Sequence, residues 1–375
     1  MRAFLPEKFA VYPKLLAESG YRVGLHGKGY GPTKPGSGSN PAGPAYGSFG
    51  EFLRKTPPDK PFCFWFGSHR PHRPYSPGGW RESGRRELQD AVVPPFLPDA
   101  PEVRSDLLDY FSNIEAFDRE ATEILQVLDS AGMRDNTIVV MTSDNGMAFP
   151  RGKCNLYDAG VRMPLVVRWP ANAKGGRTID DFICFTDFAP TFLEAAGVKP
   201  PAGTTGRSFL GLLMSGRSGR IDPARSRIVV GRERHSPTRP HALGYPSRML
   251  RTHDLLYIRN FHPERPPTGD PAGSADVDDS PSKAFMLANR DKPEVRRLFQ
   301  RAFEKRPAEE LYELSSDPWQ MRNVAADPKF GETARRLAKE LEDHLRKTGD
   351  PRVTADGDVF DRYPFWGAGW RPAQR

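Results

Sequence analysis

The pattern of apolar and polar residues predicts an α/β protein in which strands alternate with helices. Short apolar runs rich in β-branched and aromatic residues, each too short for a helix, lie at 21–25, 61–68 and 137–143. The clearest helix is predicted for 102–131, where apolar residues recur every three or four positions and a glycine follows. A shorter helix at 13–19 precedes the first strand. This alternation is typical of a largely parallel sheet covered by helices.

The pattern changes after about residue 220. Short runs at 228–231, 248–252 and 255–260 predict strands of a smaller antiparallel sheet. The polar stretch at 263–283 contains no regular apolar pattern, and we predict that it forms a mobile loop.

These two patterns predict two structural units. We expect residues 1–220 to form a three-layer α/β/α sandwich around a largely parallel sheet. We expect residues 221–375 to form a smaller α+β subdomain that carries the short antiparallel sheet. Apolar residues spaced by three and four between 334 and 345 predict an amphipathic helix within it.

Composition places long loops and a net positive charge on this framework. The chain contains 38 prolines and 35 glycines, which indicates extended connections of the kind that often carry active sites. The net charge is +8, but the basic residues are scattered and form no dense block, so nucleic-acid binding is not expected. A pocket for an anionic substrate accounts for the excess equally well.

Cysteine usage and hydropathy exclude two further classes. Three cysteines are an odd number, and no CxxC motif is present, so we expect neither a disulfide scaffold nor a cysteine metal site. No apolar run approaches the roughly 18 residues needed to span a membrane. The first residues also lack the apolar region of a signal peptide, so we expect the chain, as written, to be unexported.

Polar side chains follow three of the predicted strands directly. Lys28 follows the first, His72 follows the second, and Asp144 and Asn145 follow the third, with Lys153 farther along the same loop. Because the carboxyl ends of parallel strands meet at one sheet edge, these residues are expected to converge. A carboxylate beside an amide oxygen suits Ca²⁺, and lysines suit an anion. The alternative is an Asx turn after a strand, with solvated turn lysines and a loop histidine.

Motifs around these residues resemble those of the sulfatases, which belong to the alkaline phosphatase superfamily. The S-D-N-G at 143–146, the G-K that contains Lys153 and the run Tyr157–Pro170 resemble the second half of the sulfatase catalytic domain. The resemblance implies that Asp144 and Asn145 bind the catalytic Ca²⁺ and that Lys153 contacts the sulfate group.

Two earlier motifs extend the resemblance. Lys28 matches the lysine of the family's G-K-x-H motif, although Tyr30 stands where most members have histidine. A P-H motif implies that His72 contacts the substrate sulfate or acts as a general acid. His69 is either part of the substrate site or structural.

The finer resemblance is to the branch related to heparan N-sulfatase. The sequences G-K-G-Y-G-P and N-P-A-G-P-A-Y support this, and so does the segment that contains Glu233, Arg234 and His235. The resemblance makes these three residues candidates for sugar or sulfate recognition, with a charged surface loop as the alternative. Residues 309–323 resemble a structural signature of the sulfatase C-terminal subdomain.

Two parts of the family's active site have no match in this sequence. Sulfatases oxidise the cysteine or serine of a C-x-P-S-R or C-x-A-x-R motif to formylglycine, whose hydrate attacks sulfur. None of Cys63, Cys154 and Cys184 lies in such a motif. The D-D pair that completes the Ca²⁺ site is also unmatched, because Asp180–Asp181 and Asp278–Asp279 lie in other contexts.

We therefore expect an N-terminal segment of the family to be missing, the Ca²⁺ site to be incomplete and the formylglycine to be absent. The expected consequences are weak metal binding and little or no sulfatase activity from these 375 residues alone. Members of the family usually act in the periplasm, outside the cell or in lysosomes, so the compartment of the intact protein is not predicted.

The function that follows is that of a Ca²⁺-dependent, sulfatase-like hydrolase of sulfuric esters or N-sulfate groups. Its expected partner is a sulfated glycan or a small sulfate ester. A phosphodiesterase or phosphonate hydrolase of the same superfamily is the nearest alternative. A non-catalytic protein that binds sulfated glycans is the alternative from another class, and nucleic-acid binding is the least favoured.

Overall fold

The computed structural model describes residues 9–29, 40, 42–269 and 274–363. Its strands are β1 (Arg22–Gly27), β2 (Phe62–Gly67), β3 (Val139–Thr142), β4 (Leu165–Arg168), β5 (Arg227–Arg232), β6 (Ser247–Thr252), β7 (Leu255–Asn260) and β8 (Glu309–Glu313). Its α-helices are α1 (Tyr12–Glu18), α2 (Phe49–Arg54), α3 (Pro101–Ser130), α4 (Asp158–Val161), α5 (Phe188–Ala195), α6 (Leu210–Met214), α7 (Pro281–Ala288), α8 (Pro293–Phe303), α9 (Gly331–Lys347), α10 (Pro351–Thr354) and α11 (Val359–Arg362). The predicted mixed α/β class is confirmed. None of the described helices combines the length and the apolar character needed to cross a bilayer.

Two separate strand pairs lead into the candidate site. β1 and β2 are parallel, with Arg22 opposite Phe62 and Gly27 opposite Gly67. β3 and β4 form an antiparallel pair that is not hydrogen-bonded to β1 or β2. The loops after β2 and β3 therefore start from different sheets.

One largely parallel sheet in a three-layer sandwich was predicted, but among the described strands only β1 and β2 pair in parallel. Among the described strands, β2 and β3 each have a neighbour on one side only. Trp65 on β2 and Met141 on β3 remain 47% and 39% exposed. The apolar sequence of β3 predicts a buried strand, but burial also requires neighbours that cover the strand, and the described residues supply only β4.

The C-terminal antiparallel sheet is confirmed and has four strands in the order β5-β6-β7-β8. Helix α9 packs on it through the apolar stripe that its spacing predicts. Leu337 and Leu341 of this stripe lie in one buried cluster with Leu250 of β6 and Leu311 of β8. β8 itself lies in the segment that the sequence identified only as a family signature.

Helix α3 combines an apolar stripe with two buried carboxylates, Asp106 and Asp109. Val103 and Leu107 lie in a core that also contains residues of α7 and α8. Asp106 on the same turn is 1% exposed, and its two oxygens accept hydrogen bonds from Arg73 at 2.7 and 2.9 Å. It also accepts a hydrogen bond of 2.6 Å from the Ser282 hydroxyl in the first turn of α7. Asp106 therefore joins α3 to the loop after β2 and to α7.

Part of the segment predicted as a mobile loop is buried in the structure. Asp276 is 2% exposed and forms ion pairs with Arg232 and Arg239 at 3.0 and 2.8 Å. Ser280 caps α7 by accepting a hydrogen bond from the Lys283 amide. Asp276 thus pairs with charges that are distant in sequence, and the mobility of the segment stays a prediction.

The boundary between residues 220 and 221 stays a prediction. Contacts cross it at several points: the Tyr157 hydroxyl donates to Glu310 at 2.7 Å, and Lys153 pairs with Asp278 at 2.9 Å. The two predicted units therefore share buried polar contacts.

The Arg73–Asp106 pair yields the first prediction. Asp106→Asn would leave the Arg73 guanidinium buried without its counter-charge, which costs about 3–5 kcal/mol of unfolding free energy in comparable pairs. Urea denaturation would measure this loss. Asp343→Asn, which removes the partner of exposed Lys339, serves as the control and is expected to change little. Equal stability of the two variants would contradict the role given to Asp106.

Candidate functional site

A basic cleft opens at the carboxyl ends of β1 and β2. Its volume is about 1020 Å³, and Lys28, His69, Arg70 and His72 line it on the strand side. The structure therefore brings together three of the predicted site residues, Lys28, His69 and His72. An anion is the ligand class that such a wall favours.

Helix α3 forms the opposite wall with polar groups of another kind. Asn113, Glu120 and Glu123 line the cleft there. Arg70 donates to the Asn113 side-chain oxygen at 2.7 Å, and the Ser68 hydroxyl donates to Glu120 at 2.5 Å. The Arg70 Nε also lies 3.7 Å from a Glu120 oxygen, so Arg70 joins the two walls, while Lys28 forms no ion pair with the described residues.

Two glycines allow the strand ends to approach closely at the floor of this cleft. The amide of Lys28 donates to the Gly67 carbonyl at 2.6 Å, and Gly27 has a φ of +75°. A Cβ on Gly67 would lie 1.6 Å from the Lys28 carbonyl oxygen. The position of Lys28 therefore depends on a residue without a side chain at 67.

His72 is oriented by its own neighbour. Its Nδ1 is hydrogen-bonded to the carbonyl oxygen of Arg73. Because a carbonyl only accepts, Nδ1 carries the proton and Nε2 is the ring nitrogen left for a ligand. His72 can donate from Nε2 only when the ring is protonated, and a bound anion would favour that state.

Arg73 connects this cleft to the loop after β3. Its Nε donates to the Ala148 carbonyl at 2.9 Å, while its guanidinium carbon lies 4.7 Å from the ring centroid of Phe149. Asn145 lies three residues before Ala148 in the same loop. The two loops that carry candidate residues are therefore held together, although their strands are in different sheets.

The Asp144–Asn145 pair presents oxygen atoms that the protein does not use. Within the described residues, the Asp144 carboxylate is exposed and has no hydrogen bond or ion pair. The Asn145 amide nitrogen donates to the Gly146 carbonyl at 2.8 Å, which leaves its side-chain oxygen available. Neither residue lines the basic cleft.

Lys153 is held by a carboxylate from the segment before α7. Its Nζ lies 2.9 Å from Asp278, and the two side chains are 14% and 23% exposed. Lys153 does not line the cleft either. Asp278 thus occupies the position at which the resemblance would place an anionic substrate group.

Comparison with known proteins identifies relatives of this chain. Residues 45–198 match the family model for sulfatases. The human N-sulphoglucosamine sulphohydrolase is 27% identical over 95% of this chain and 77% of its own length. The chain is a distant homologue of the sulfatases.

Other comparisons agree at the level of fold. An ulvan-active sulfatase of Formosa agariphila is 27% identical over 72% of this chain but only 43% of its own length, and a second one is covered over 53%. The chain thus spans about half the length of these relatives. A solved protein in complex with its substrate D-glucosamine-2-N,6-O-disulfate superposes with a TM-score of 0.67, at 19% identity, over 93% of this chain and 85% of its own.

The sulfatase relationship raises the question of whether the residues present fit a Ca²⁺ ion. The free oxygens of Asp144 and Asn145 are of the right chemistry, but Ca²⁺ takes about six to eight oxygen ligands. The described residues contain one His/Asp group compact enough for a metal, formed by His262, Asp358 and Asp361. It lies elsewhere, and Arg352 pairs with Asp358. The described residues fit part of a Ca²⁺ shell at Asp144 and no more.

The cysteines do not fit a formylglycine. Burial raises the pKa of the Cys63 thiol to about 12 and that of Cys154 to about 11. Cys184 lies at the start of a short 3₁₀ helix at Phe185–Asp187. None lies in a formylglycine motif, so no chemical step is assigned to that group here.

Glu233 and Arg234 make contacts within the protein. Glu233 accepts hydrogen bonds from Arg248 at 2.7 Å and from Arg352 at 2.6 Å. Arg234 is 6% exposed and donates to the Ala242 carbonyl at 3.0 Å. These contacts favour a structural role, and their role in substrate binding stays a prediction.

His235 lies in the electrostatic surroundings of Lys153. Loss of water around its ring lowers the pKa of His235, and the positive charges of Lys153 and Arg232 lower it further, while Asp276 opposes them. His235 is therefore a neutral hydrogen-bonding group at neutral pH. Tyr30, the other departure noted in the sequence, lies outside the described residues.

Sequence patterns did not predict the roles of Arg70 and Arg73 in this cleft, nor the pairing of Asp278 with Lys153. Arg70 and Arg73 lie in H-R-P-H-R-P, whose histidines carry the family motif. A signal for Arg73 existed in Asp106, a carboxylate next to Val103 and Leu107 of the apolar stripe of α3, because a buried carboxylate favours a cationic partner. Nothing local identifies Asp278, because its pairing with Lys153 spans 125 positions.

The close approach of β1 and β2 yields the second prediction. Gly67→Ala forces a Cβ into the Lys28 backbone, so we expect a loss of about 1–3 kcal/mol in unfolding free energy, measured by urea denaturation. Gly211→Ala in α6 meets no atom within 4 Å and is the matched control, expected to be neutral or slightly stabilising. A Gly67→Ala protein as stable as the control variant would refute this account of the strand ends.

Proposed function

We propose that this chain carries the sulfate-binding part of the active site of a sulfatase-like hydrolase. The observation that carries the proposal is the basic cleft in which Lys28, His69 and His72 meet at the ends of two parallel strands. The homology to sulfatases supplies the reaction class. The substrate class is a sulfated glycan or a small sulfate ester.

The two walls of the cleft suit the two parts of such a substrate. Lys28 supplies positive charge for the sulfate oxygens, and His72 adds a donor at Nε2 when protonated, while Arg70 is shared with Glu120 at 3.7 Å. On the other wall, Asn113 and Glu120 can accept hydrogen bonds from sugar hydroxyls. A sulfated sugar satisfies both walls, whereas inorganic sulfate uses only the first.

Lys153 joins this site when Asp278 releases it. In the structure Asp278 neutralises Lys153 at 2.9 Å, so a substrate sulfate must compete with that carboxylate. The Arg73–Ala148 hydrogen bond keeps the loop that leads to Lys153 beside the cleft. Asp278 is thus expected to weaken sulfate binding.

Asp144 and Asn145 would hold a Ca²⁺ ion on the same side of the loop. When bound, Ca²⁺ would supply positive charge that polarises a sulfate oxygen. Among the residues that the structure describes, none donates a hydrogen bond to the Asp144 carboxylate or to the Asn145 side-chain oxygen, which leaves these atoms available to a metal. Further oxygen ligands must come from groups other than these two.

The absence of a formylglycine motif from these 375 residues makes turnover by the purified chain unexpected. That feature also favours the alternative of a protein that binds sulfated glycans without cleaving them. Binding and turnover are therefore measured separately.

The third prediction concerns retention of the purified 375-residue chain on a heparin column. We expect Lys28→Ala and Lys153→Ala each to weaken binding about tenfold or more, because a hydrogen bond to a charged group contributes about 1.5–3 kcal/mol. Asp278→Asn should strengthen binding several-fold by freeing Lys153. Lys339→Ala, an exposed lysine of α9, is the control and should leave binding unchanged.

Each outcome of this experiment separates the alternatives. Retention that none of the site variants alters would refute the proposed sulfate site. Equal retention on DNA, insensitive to Lys153→Ala, would favour nucleic-acid binding. Release of sulfate from glucosamine N-sulfate by the purified chain would refute the expectation of inactivity, and cleavage of a phosphonate monoester alone would favour the phosphonate hydrolase alternative.

The fourth prediction concerns the metal. With two protein oxygens identified, calorimetric titration should give a Ca²⁺ dissociation constant of about 10⁻⁴–10⁻³ M or weaker. Asp144→Asn should abolish it, whereas Asp343→Asn on exposed α9 should not. Submicromolar Ca²⁺ binding that survives Asp144→Asn would contradict the assignment.

A further inference from the structure

Three arginines surround one buried tyrosine between the loop after β3 and the C-terminal sheet. The guanidinium carbons of Arg232, Arg239 and Arg306 lie 5.1, 5.6 and 5.9 Å from the ring centroid of Tyr245. Tyr245 is 1% exposed and Arg239 is 4% exposed. Three positive charges thus lie around one ring that is removed from water.

One carboxylate is in direct contact with this group. Asp276 accepts hydrogen bonds from Arg232 at 3.0 Å and from Arg239 at 2.8 Å. Arg306 instead donates to the neutral side-chain oxygen of Asn155 at 2.6 Å. In these direct contacts, Asp276 is therefore the one negative charge beside three positively charged guanidinium groups.

The residues around the neighbouring Tyr157 do not neutralise the excess positive charge. The guanidinium carbons of Arg151 and Arg306 lie 3.7 and 5.1 Å from the ring centroid of Tyr157. Glu310 accepts hydrogen bonds from Tyr157 and Tyr312, both of them neutral phenols. With Arg151 and Glu310 included, four guanidinium groups still face two carboxylates.

The same group contains hydrogen-bond donors without acceptors. Among the described residues, Arg232 Nε, Arg239 Nη1, Arg306 Nε and the Tyr245 hydroxyl are buried and have no hydrogen-bond partner. All four atoms belong to the residues that meet at the Tyr245 ring. Buried donors and buried charge are both costly, and here they coincide.

Proton loss does not solve this imbalance. Burial lowers the pKa of Arg232 to about 10, and the neighbouring charges of Arg239 and Arg306 contribute to the shift, but the group still carries its charge at neutral pH. Water could accept the unused hydrogen bonds, yet it adds no negative charge. A bound anion supplies both the acceptor and the charge.

We propose that Arg232, Arg239, Arg306 and Tyr245 form a buried site for a small inorganic anion, either a halide or a tetrahedral oxyanion such as sulfate. The site is independent of the proposed hydrolase function, because it uses neither Lys28, His72 nor Lys153. Its effect is to hold β5 and the segment around Asp276 against the loop that continues from Lys153, since Asn155 and Cys154 lie beside these arginines.

The direct test is a crystal structure of the full chain grown once with sodium bromide and once with sodium sulfate. We expect an anomalous bromide peak, or tetrahedral sulfate density, within hydrogen-bond distance of Arg232 Nε and the Tyr245 hydroxyl. A bromide peak identifies a halide site, and sulfate density identifies an oxyanion site. Water alone, or an acidic side chain from outside the described residues at that position, would overturn the proposal.

A solution measurement supports the crystal test. At constant ionic strength, replacing gluconate by chloride or sulfate should raise the melting temperature of the wild-type protein in a saturable way. Tyr245→Phe removes one donor without changing charge, and it should weaken the apparent anion affinity several-fold. Tyr363→Phe, an exposed tyrosine, is the matched control. Identical anion dependence in the wild type and in Tyr245→Phe would overturn the assignment of Tyr245.

Discussion

The buried ion pair between Arg73 and Asp106 is the interaction on which the candidate site depends. Asp106 lies on the apolar side of α3, and its charge is stabilised there because both of its oxygens accept hydrogen bonds from Arg73 and one of them also accepts from Ser282. Arg73 in turn donates to the Ala148 carbonyl and packs on Phe149. A single guanidinium thereby fixes α3 and the loops after two strands.

This pair explains how a site forms from strands that do not share a sheet. β1 and β2 deliver Lys28 and His72 to one cleft, while β3 delivers Asp144 and Asn145 to a separate loop. Without a continuous sheet, sheet geometry alone does not hold these two groups in register. Arg73 performs that task from the middle of H-R-P-H-R-P, and the Arg73 carbonyl also orients the His72 ring.

Local sequence patterns predicted most of the elements, and they failed where distant partners decide the structure. The apolar spacing of α3 and α9 and the short runs of β1, β2 and β5–β7 predicted these elements closely, because each depends on the periodicity of its own segment. The single parallel sheet did not appear, since strand pairing requires neighbours that a strand's own sequence does not specify. The ion pairs of Asp276 and Asp278 were missed for the same reason: their cationic partners are far away in the chain.

The sequence predicted which residues belong to the candidate site better than it predicted their hydrogen bonds and ion pairs. Lys28 and His72 were found from strand-end positions and motif resemblance, whereas the pairing of Lys153 with Asp278 and the internal contacts of Glu233 required the fold. The features that the sequence did not predict are mostly ion pairs between charged residues. This basic chain uses internal carboxylates to neutralise some cations and leaves others in the cleft open to an anionic ligand.

The most direct test of this account is a crystal structure of the chain with selenate, an anomalously scattering analogue of sulfate. We expect a selenium peak in the cleft, with the selenate oxygens within hydrogen-bond distance of Lys28 and His72, at the end of the β1–β2 pair. A cleft without selenate, in crystals where the anion binds elsewhere on the protein, would contradict it.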